Sequence, residues 1–172
     1  DILAKNALKL LNHNLAKVLK NGADLEARQN MLVGSMLAGQ AFANAPVGAV
    51  HALAYPLGGH FHLSHGHSNA LVLVEVLKFN APKAKQYYAE LMQLLDPRST
   101  GCTDGLCDLF IDHMQNHLDQ SGLTLKLKNL DIPEAKLPQL AKDALLQTRL
   151  LQNNPREMTE QDALQIYKAI YE

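Results

Sequence analysis

The 172-residue chain has no tryptophan, only two cysteines, and few aromatic residues, which make up 5% of it. Cys102 and Cys107 are five residues apart, a spacing that fits neither a Cys-x-x-Cys redox pair nor a disulfide framework. We therefore expect two reduced thiols in a cytoplasmic protein. Neither sign of charge is in excess, because 16 Lys and Arg stand against 17 Asp and Glu. Without a basic surface to neutralise phosphates, nucleic acid is not expected as a partner.

Long hydrophobic runs are also missing. The uninterrupted apolar stretches are a few residues long, as in 71–74, whereas a helix that crosses a bilayer needs about 20. We expect no membrane span. No basic segment followed by an apolar run opens the chain, so no export signal is predicted. Because the chain begins at Asp1 and not at Met, we expect that a preceding segment was removed.

Apolar side chains are plentiful, at 47% of the sequence, and they predict one helical domain over residues 1–172. They recur three, four or seven positions apart, which is typical of amphipathic helices. The run 69–79 could also be a strand, but no second strand-like run could pair with it. We expect an all-α bundle of seven to eight helices with every proline at a helix edge or in a loop. The predicted helices cover 2–21, 24–45, 47–57 with its end at Pro56, 69–79, 82–94, 106–118, 133–151 and a last one after Thr159, and 123–132 is predicted to be an extended linker.

Several residues predict how these helices begin, end and pack. Gly22 is expected to end the first helix in a left-handed conformation. Asp24 is expected to cap the second helix, and Thr159 with Asp162 forms a capping-box pattern before the last one. Small residues at 34–39 should let a neighbouring helix approach closely.

Histidines are concentrated in one short segment, where five of the eight lie: His51, His60, His62, His65 and His67. Neutral imidazole is the commonest transition-metal ligand, but a site needs several donors converging on one point. No His-Glu-x-x-His signature is present, so His60, His62 and His67 are also compatible with a solvated or hydrogen-bonded surface loop. His51 lies in an apolar helical stretch. It is either a metal ligand or a buried core histidine whose ring nitrogens hydrogen-bond to backbone groups. His65 lies just before Gly66, near the start of the predicted helix 69–79, where the helix dipole disfavours a protonated ring.

A second histidine pair lies further along the chain. His113 and His117 are four residues apart on the predicted helix 106–118, so they share one face and could bind a metal together. We favour an ordinary exposed helix face for this pair.

The segment 48–71, GAVHALAYPLGGHFHLSHGHSNAL, closely resembles the signature of the iron-containing (group III) alcohol dehydrogenases. In that signature a His is followed fourteen residues later by His-Gly, with Pro-Leu-Gly between them. His51 and His65 stand at these two positions. The stretches 24–44 and 149–163 are similar to the same family, so the resemblance spans nearly the whole chain.

The resemblance implies a dehydroquinate synthase-like carboxy-terminal helical domain. The parent enzyme would interconvert small alcohols with aldehydes or ketones, using NAD or NADP. Family members hold one divalent cation, Fe²⁺ or in some cases Zn²⁺, through an Asp and a His of an Asp-Ala-x-x-His segment and through the two signature histidines. His51 and His65 match the latter pair and are the predicted metal ligands. Asp1 does not match the former, because Lys5 stands where that segment has its His.

The resemblance also implies an amino-terminal nucleotide-binding domain that this chain lacks. No glycine-rich phosphate loop is present in the sequence, so we expect the chain alone to be inactive. Tyr55 stands where many family members carry a His with a relay role, and a phenol is a poorer proton relay at neutral pH. No residue is assigned to catalysis or to cofactor binding.

Two alternatives remain open. The chain could be a non-catalytic helical module that binds metal weakly or forms a homodimer. It could also be a domain of a related enzyme, such as a glycerol dehydrogenase, a dehydroquinate synthase or a maleylacetate reductase.

Overall fold

The computed structural model describes every residue from Asp1 to Glu172. It confirms the all-α class, with eight α-helices and no β-strand. None of these helices combines the length and the apolar character needed to cross a bilayer. The helices are α1 (Ile2–Lys20), α2 (Leu25–Asn44), α3 (Ala49–Phe61), α4 (His65–Leu95), α5 (Thr103–Gln120), α6 (Leu137–Leu145), α7 (Thr148–Leu151) and α8 (Glu160–Ala169).

The residues form two compact units, each of which contains two stretches of the chain. The first unit comprises 1–46 and 85–121, and so contains α1, α2, the last part of α4, and α5. The second comprises 47–84 and 122–172, and contains α3, the first part of α4, and α6 to α8.

In the first unit, α1 packs against α2. Gly34 permits this contact, because a Cβ atom there would lie 2.9 Å from the Leu11 side chain. The Asp24 carboxylate accepts a hydrogen bond of 2.9 Å from the Ala27 backbone N–H, so the predicted cap is confirmed. The prediction for Gly22 was wrong: α1 ends through an extended Asn21, and Gly22 has no positive φ. The Asn21 side chain accepts from the Ala23 N–H, which closes the turn without a left-handed residue.

The helix α4 is one continuous segment of 31 residues, whereas two helices separated at Pro82 were predicted. Proline removes one backbone N–H, which in a helix would bond the carbonyl four residues earlier. Pro82 and Lys78, the residue that carries that carbonyl, are both exposed. Water can satisfy the unpaired oxygen, so the helix runs on through the proline.

In the second unit, α3 also continues past its proline, contrary to the prediction that it ends at Pro56. Leu53 and Leu57, on either side of Pro56, are fully buried in the core of this unit. Burying a leucine side chain contributes about 1.5–3 kcal/mol, which offsets the missing hydrogen bond. The buried Tyr167 of α8 donates to the Leu53 carbonyl at 2.6 Å and ties the two helices together.

The stretch after residue 122 differs most from the prediction. The predicted linker 123–132 contains a 3-10 turn at Leu127–Leu130, and its Leu127 N–H donates to the Ile170 carbonyl. A single helix over 133–151 was predicted, but α6 begins only at Leu137 with Pro138 in its first turn, and α7 is separate. Leu146 is 74% exposed. The apolar face therefore does not continue through this position, and α6 ends at Leu145.

Candidate metal site

The site is formed where α3 and α4 meet. A three-residue connection joins them, in which His62 adopts a left-handed conformation with φ of 55°. The connection turns the chain back towards α3. It brings His65, the first residue of α4, close to His51 in the first turn of α3. The two ring centroids are 5.1 Å apart and the ring planes are inclined by 51°. The fourteen-residue spacing thus becomes a direct side-chain pair.

His51 is half-buried, and neither of its ring nitrogens has a hydrogen-bond partner. The backbone-satisfied core imidazole considered from the sequence is therefore not what the structure contains. Burial, and after it the charge of His65, lowers the pKa of His51 below its ordinary value. A neutral imidazole keeps a lone pair available, as a metal ligand must.

His65 is held by the next turn of α4. Its Nε2 lies 3.1 Å from Nδ2 of Asn69, and an amide N–H can donate only to an unprotonated ring nitrogen. The contact holds the His65 ring in place, and a cation bound at Nε2 would take this lone pair from the Asn69 amide. Asn69 Oδ1 and Ser68 Oγ beside it are buried without any partner. Buried polar atoms are rarely left unpaired, and an ion or a water molecule is the usual explanation.

The distance between the His51 and His65 rings is compatible with both binding one cation that also has other ligands. Two imidazoles that share a tetrahedral ion at about 2.0–2.1 Å from each nitrogen have ring centres about 5 Å apart, which is close to the 5.1 Å observed. No third His, Cys, Asp or Glu joins them in this chain. Tyr55 is the nearest other ring, with its centroid 6.4 Å from that of His51 and 6.3 Å from that of His65. The remaining coordination positions need other donors.

The other histidines of the segment make contacts of their own. His60 is exposed at the end of α3 and pairs with the Asp143 carboxylate at 2.6 Å. His67 places Nε2 2.6 Å from the Thr124 carbonyl, to which a protonated ring nitrogen donates. His62 is exposed. These three histidines therefore behave as hydrogen-bonded or solvated surface residues and do not join His51 and His65.

A partly buried amide pair supports the start of α3, and sequence reasoning missed it. Asn154 and Asn80 exchange two hydrogen bonds, of 2.7 and 3.0 Å. Asn154 Oδ1 also accepts from the backbone N–H of Ala49, the first residue of α3, at 3.3 Å. A Cβ on Gly48 would meet the same oxygen at 3.3 Å, so a small residue favours this approach. Asn154 thereby fixes the helix turn that carries His51.

A second contact strengthens this support. The Arg156 guanidinium donates to the Phe79 carbonyl at 2.9 Å and lies 4.1 Å over the centre of the Phe79 ring. The residues 153–156 follow the predicted helix 133–151 and lie in the stretch 149–163 that resembles the family. That resemblance was the only signal that could have pointed to Asn154.

The structure is therefore an all-α domain in which two of the helices bring a pair of imidazole rings together. A model of the Fe-containing alcohol dehydrogenase family, C-terminal region, matches residues 1–171. The chain belongs to this family and corresponds to its C-terminal domain.

Individual relatives agree with this assignment. Long-chain-alcohol dehydrogenase 1 of Geobacillus thermodenitrificans is 38% identical over 172 residues, which cover 99% of this chain and 44% of the relative. A 1,3-propanediol dehydrogenase of Klebsiella pneumoniae is 33% identical with the same coverage. The crystal structure of a 1,3-propanediol oxidoreductase superposes with a TM-score of 0.94 at 31% identity, covering 99% of this chain and 45% of that one. This chain therefore spans less than half the length of the relatives it matches.

Proposed function

We propose that this chain is the metal-holding helical domain of an NAD(P)-dependent alcohol dehydrogenase, with His51 and His65 as two ligands of a divalent cation. The observation that carries the proposal is the 5.1 Å approach of the two rings. Fe²⁺ is the first candidate ion and Zn²⁺ the second, since imidazole suits both. A small alcohol and the corresponding aldehyde or ketone are the proposed substrates of the whole enzyme.

A cation at this position would supply Lewis-acid polarisation of the substrate oxygen. The chain's own residues would do the positioning. Asn154 fixes the first turn of α3, and Asn69 orients the His65 ring. Tyr55 is 44% exposed beside the pair and would face the substrate region. NAD or NADP would accept or supply the hydride, and its binding is not proposed for any residue of this chain.

The ligand assignment is tested by titrating the chain with Zn²⁺, and with Fe²⁺ under anaerobic conditions. His51→Ala and His65→Ala are expected to weaken the binding that this pair supports by about tenfold or more, because each removes a ligand. The matched controls are His60→Ala and His67→Ala, which remove histidines engaged with Asp143 and Thr124. Equal losses in all four variants would indicate a diffuse histidine cluster and contradict the assignment.

The chain by itself is expected to be inactive, because it has two of the ligands and no glycine-rich phosphate loop. The purified chain with Zn²⁺ or Fe²⁺, NADH and an aldehyde should oxidise NADH no faster than a control without protein. NADH oxidation above that background would refute the expected inactivity of the chain. If the oxidation also disappeared in His51→Ala, it would still support His51 as a metal ligand.

A helical dimerisation module is the second candidate, and exposed apolar side chains on α2 favour it. Leu25, Leu32 and Met36 are 80%, 73% and 53% exposed. Sedimentation velocity would show a homodimer that Leu32→Glu converts to a monomer, and a monomeric wild-type chain would remove this candidate. A cytoplasmic location is part of the proposal as well, and the two free cysteines agree with it.

A further inference from the structure

A histidine pair in the first unit joins α1 to α5. His113 and His117 lie one turn apart on α5, with ring centroids 4.7 Å apart and Nε2 atoms 3.2 Å apart. Both nitrogens also approach Oδ1 of Asn12 on α1, at 2.5 Å from His113 and 2.7 Å from His117. All three residues are half-buried, so the pair is not on the ordinary exposed face predicted from the sequence.

The neutral rings can hold this contact by hydrogen bonds. A neutral imidazole has one N–H, and an N–H on either Nε2 can donate to the Asn12 oxygen. A ring with a free Nε2 lone pair can also accept from the other ring across the 3.2 Å between them. The three side chains therefore connect the two helices as long as the pair carries few protons.

Protonation of both rings works against the same contact. Two imidazolium rings have only donors at the facing nitrogens. They would also place two positive charges on rings with centroids 4.7 Å apart. The rings are half-buried, and water screens such charges less than it screens exposed ones. The folded chain is therefore expected to resist the second proton, whereas the unfolded chain takes up both.

We propose that Asn12, His113 and His117 form an acid-sensitive latch, which holds α1 against α5 at neutral pH and releases it when both histidines are protonated. The latch does not depend on the proposed dehydrogenase function, because it uses neither His51 nor His65.

Neighbouring charges do not account for this behaviour. Helix α4 contacts both partners of the latch, α1 through the pair Lys5–Glu90 and α5 through the rings of Tyr88 and Phe110, and α2 packs against α1. The charged and titratable side chains of these helices nearest to the latch are Lys5, Lys9 and His13 on α1, Arg28 on α2, Tyr88 and Glu90 on α4, and Asp112 and Asp119 on α5. None of them shifts the pKa of either ring of the latch.

The direction of the pH dependence follows from the two rings themselves. Burial lowers the pKa of His113, and burial with the charge of His113 lowers that of His117, both from the ordinary value of 6.5. A histidine whose folded pKa is lowered stabilises the fold above the unfolded pKa, and this contribution is lost as the pH falls below it. Each proton that the folded latch excludes raises the opening constant by about tenfold per pH unit in that range.

The experiment is amide hydrogen exchange of the full chain between about pH 7 and pH 5, with the rates converted to opening constants after correction for the intrinsic pH dependence of exchange. The opening constants of α1 and α5 should rise by about tenfold from pH 6 to pH 5. The amides of α8, in the second unit, are the internal control and should change little. His113→Gln/His117→Gln keeps polar side chains that cannot be protonated in this range, and it should abolish the rise. A rise of the same size in this variant would overturn the proposal.

Two further variants test the geometry. Asn12→Asp places a carboxylate against both rings and favours their protonated form, so the rise should disappear or reverse. A full rise in Asn12→Asp would contradict the latch. His13→Gln removes the exposed histidine next to Asn12 and should leave the rise unchanged.

A measurement on the wild-type chain does not depend on whether the variants fold. NMR of the histidine Cε1–H groups should show at least one of His113 and His117 titrating at a lower pH in the folded chain than in the same chain unfolded in urea. If both rings titrate at the same pH in the two states, the folded chain excludes no proton and the proposal is wrong.

Discussion

At the scale of single residues, Asn154 has the most contacts to lose around the proposed His51 ligand. Asn154→Ala removes both bonds to Asn80, which is 5% exposed, and the bond to the Ala49 N–H. A buried polar group left without its partner costs about 1–3 kcal/mol. We expect the free energy of unfolding, measured by urea denaturation, to fall by about that amount, and Zn²⁺ binding at His51 to weaken because the first turn of α3 is no longer held.

Asn153→Ala is the matched control for this prediction. Asn153 is the neighbouring asparagine and is exposed, with its amide bonded to the carbonyls of Val47 and Arg149. Its loss should change stability by about 0.5–1 kcal/mol at most and leave metal affinity unaltered. Equal effects of the two substitutions would show that Asn154 has no special supporting role.

Single-residue contacts explain why the site could be predicted only in part. His51 and His65 were recognisable because the family signature names them, and a short turn between two helices brings them together. Asn154 contacts Asn80 from 74 positions away, and Asn12 contacts His113 from 101 positions away. No periodicity or local motif relates residues that far apart, so both clusters required the folded chain.

At the scale of the secondary-structure elements, α8 depends on its capping box. Thr159 Oγ1 accepts from the Asp162 N–H, while the Asp162 carboxylate accepts from the N–H and the hydroxyl of Thr159. Replacing either residue by alanine should lower the free energy of unfolding by about 0.5–2 kcal/mol. Gln161→Ala, at an exposed position in the same turn, should change it little. Urea denaturation followed by circular dichroism measures all three, and equal effects would contradict the prediction.

The contribution of Asp162 should also depend on pH. The hydrogen bond from the Thr159 side chain holds the pKa of Asp162 below its ordinary value of 3.8. A depressed pKa in the folded state means that the carboxylate stabilises the fold at pH values above the unfolded pKa. The difference in stability between wild type and Asp162→Ala should therefore be constant from about pH 5 to 8 and shrink as the pH falls below about 4. A difference that grows in acid would refute this account.

Helix boundaries were predicted well where a cap is formed locally and poorly where proline was taken as a stop. Asp24 and Thr159 act on backbone groups within three residues, so the sequence contains all that determines them. Pro56 and Pro82 were expected to end helices, because each removes a hydrogen bond. In α3 the burial of Leu53 and Leu57 outweighs that loss, and in α4 the bond is lost at an exposed position. Tertiary packing and solvent decide such cases.

At the scale of the whole molecule, the all-α class followed from apolar periodicity along nearly every segment, which is the strongest local signal a sequence has. The family could also be recognised from the sequence, because the signature 48–71 is long, and its helical domain agrees with the all-α class. The arrangement of residues 85–121 with 1–46, and of 122–172 with 47–84, had no local signal. The amphipathic pattern of a helix predicts which of its faces is buried, but not which other helix packs against that face.

The proposed metal site at His51 and His65 makes a prediction about the stability of the whole chain. An ion that binds the folded chain alone raises its free energy of unfolding, by about 2.7 kcal/mol per site at a concentration of one hundred times Kd. Denaturation in saturating Zn²⁺ should therefore show this rise in the wild type and in His60→Ala/His67→Ala, and almost none in His51→Ala/His65→Ala. Mg²⁺ at the same ionic strength is the control and should stabilise none of them, since it prefers oxygen ligands. If His51→Ala/His65→Ala still gained the full rise in Zn²⁺, the stabilisation would come from other histidines such as His60 and His67, and the pair would not be a binding site.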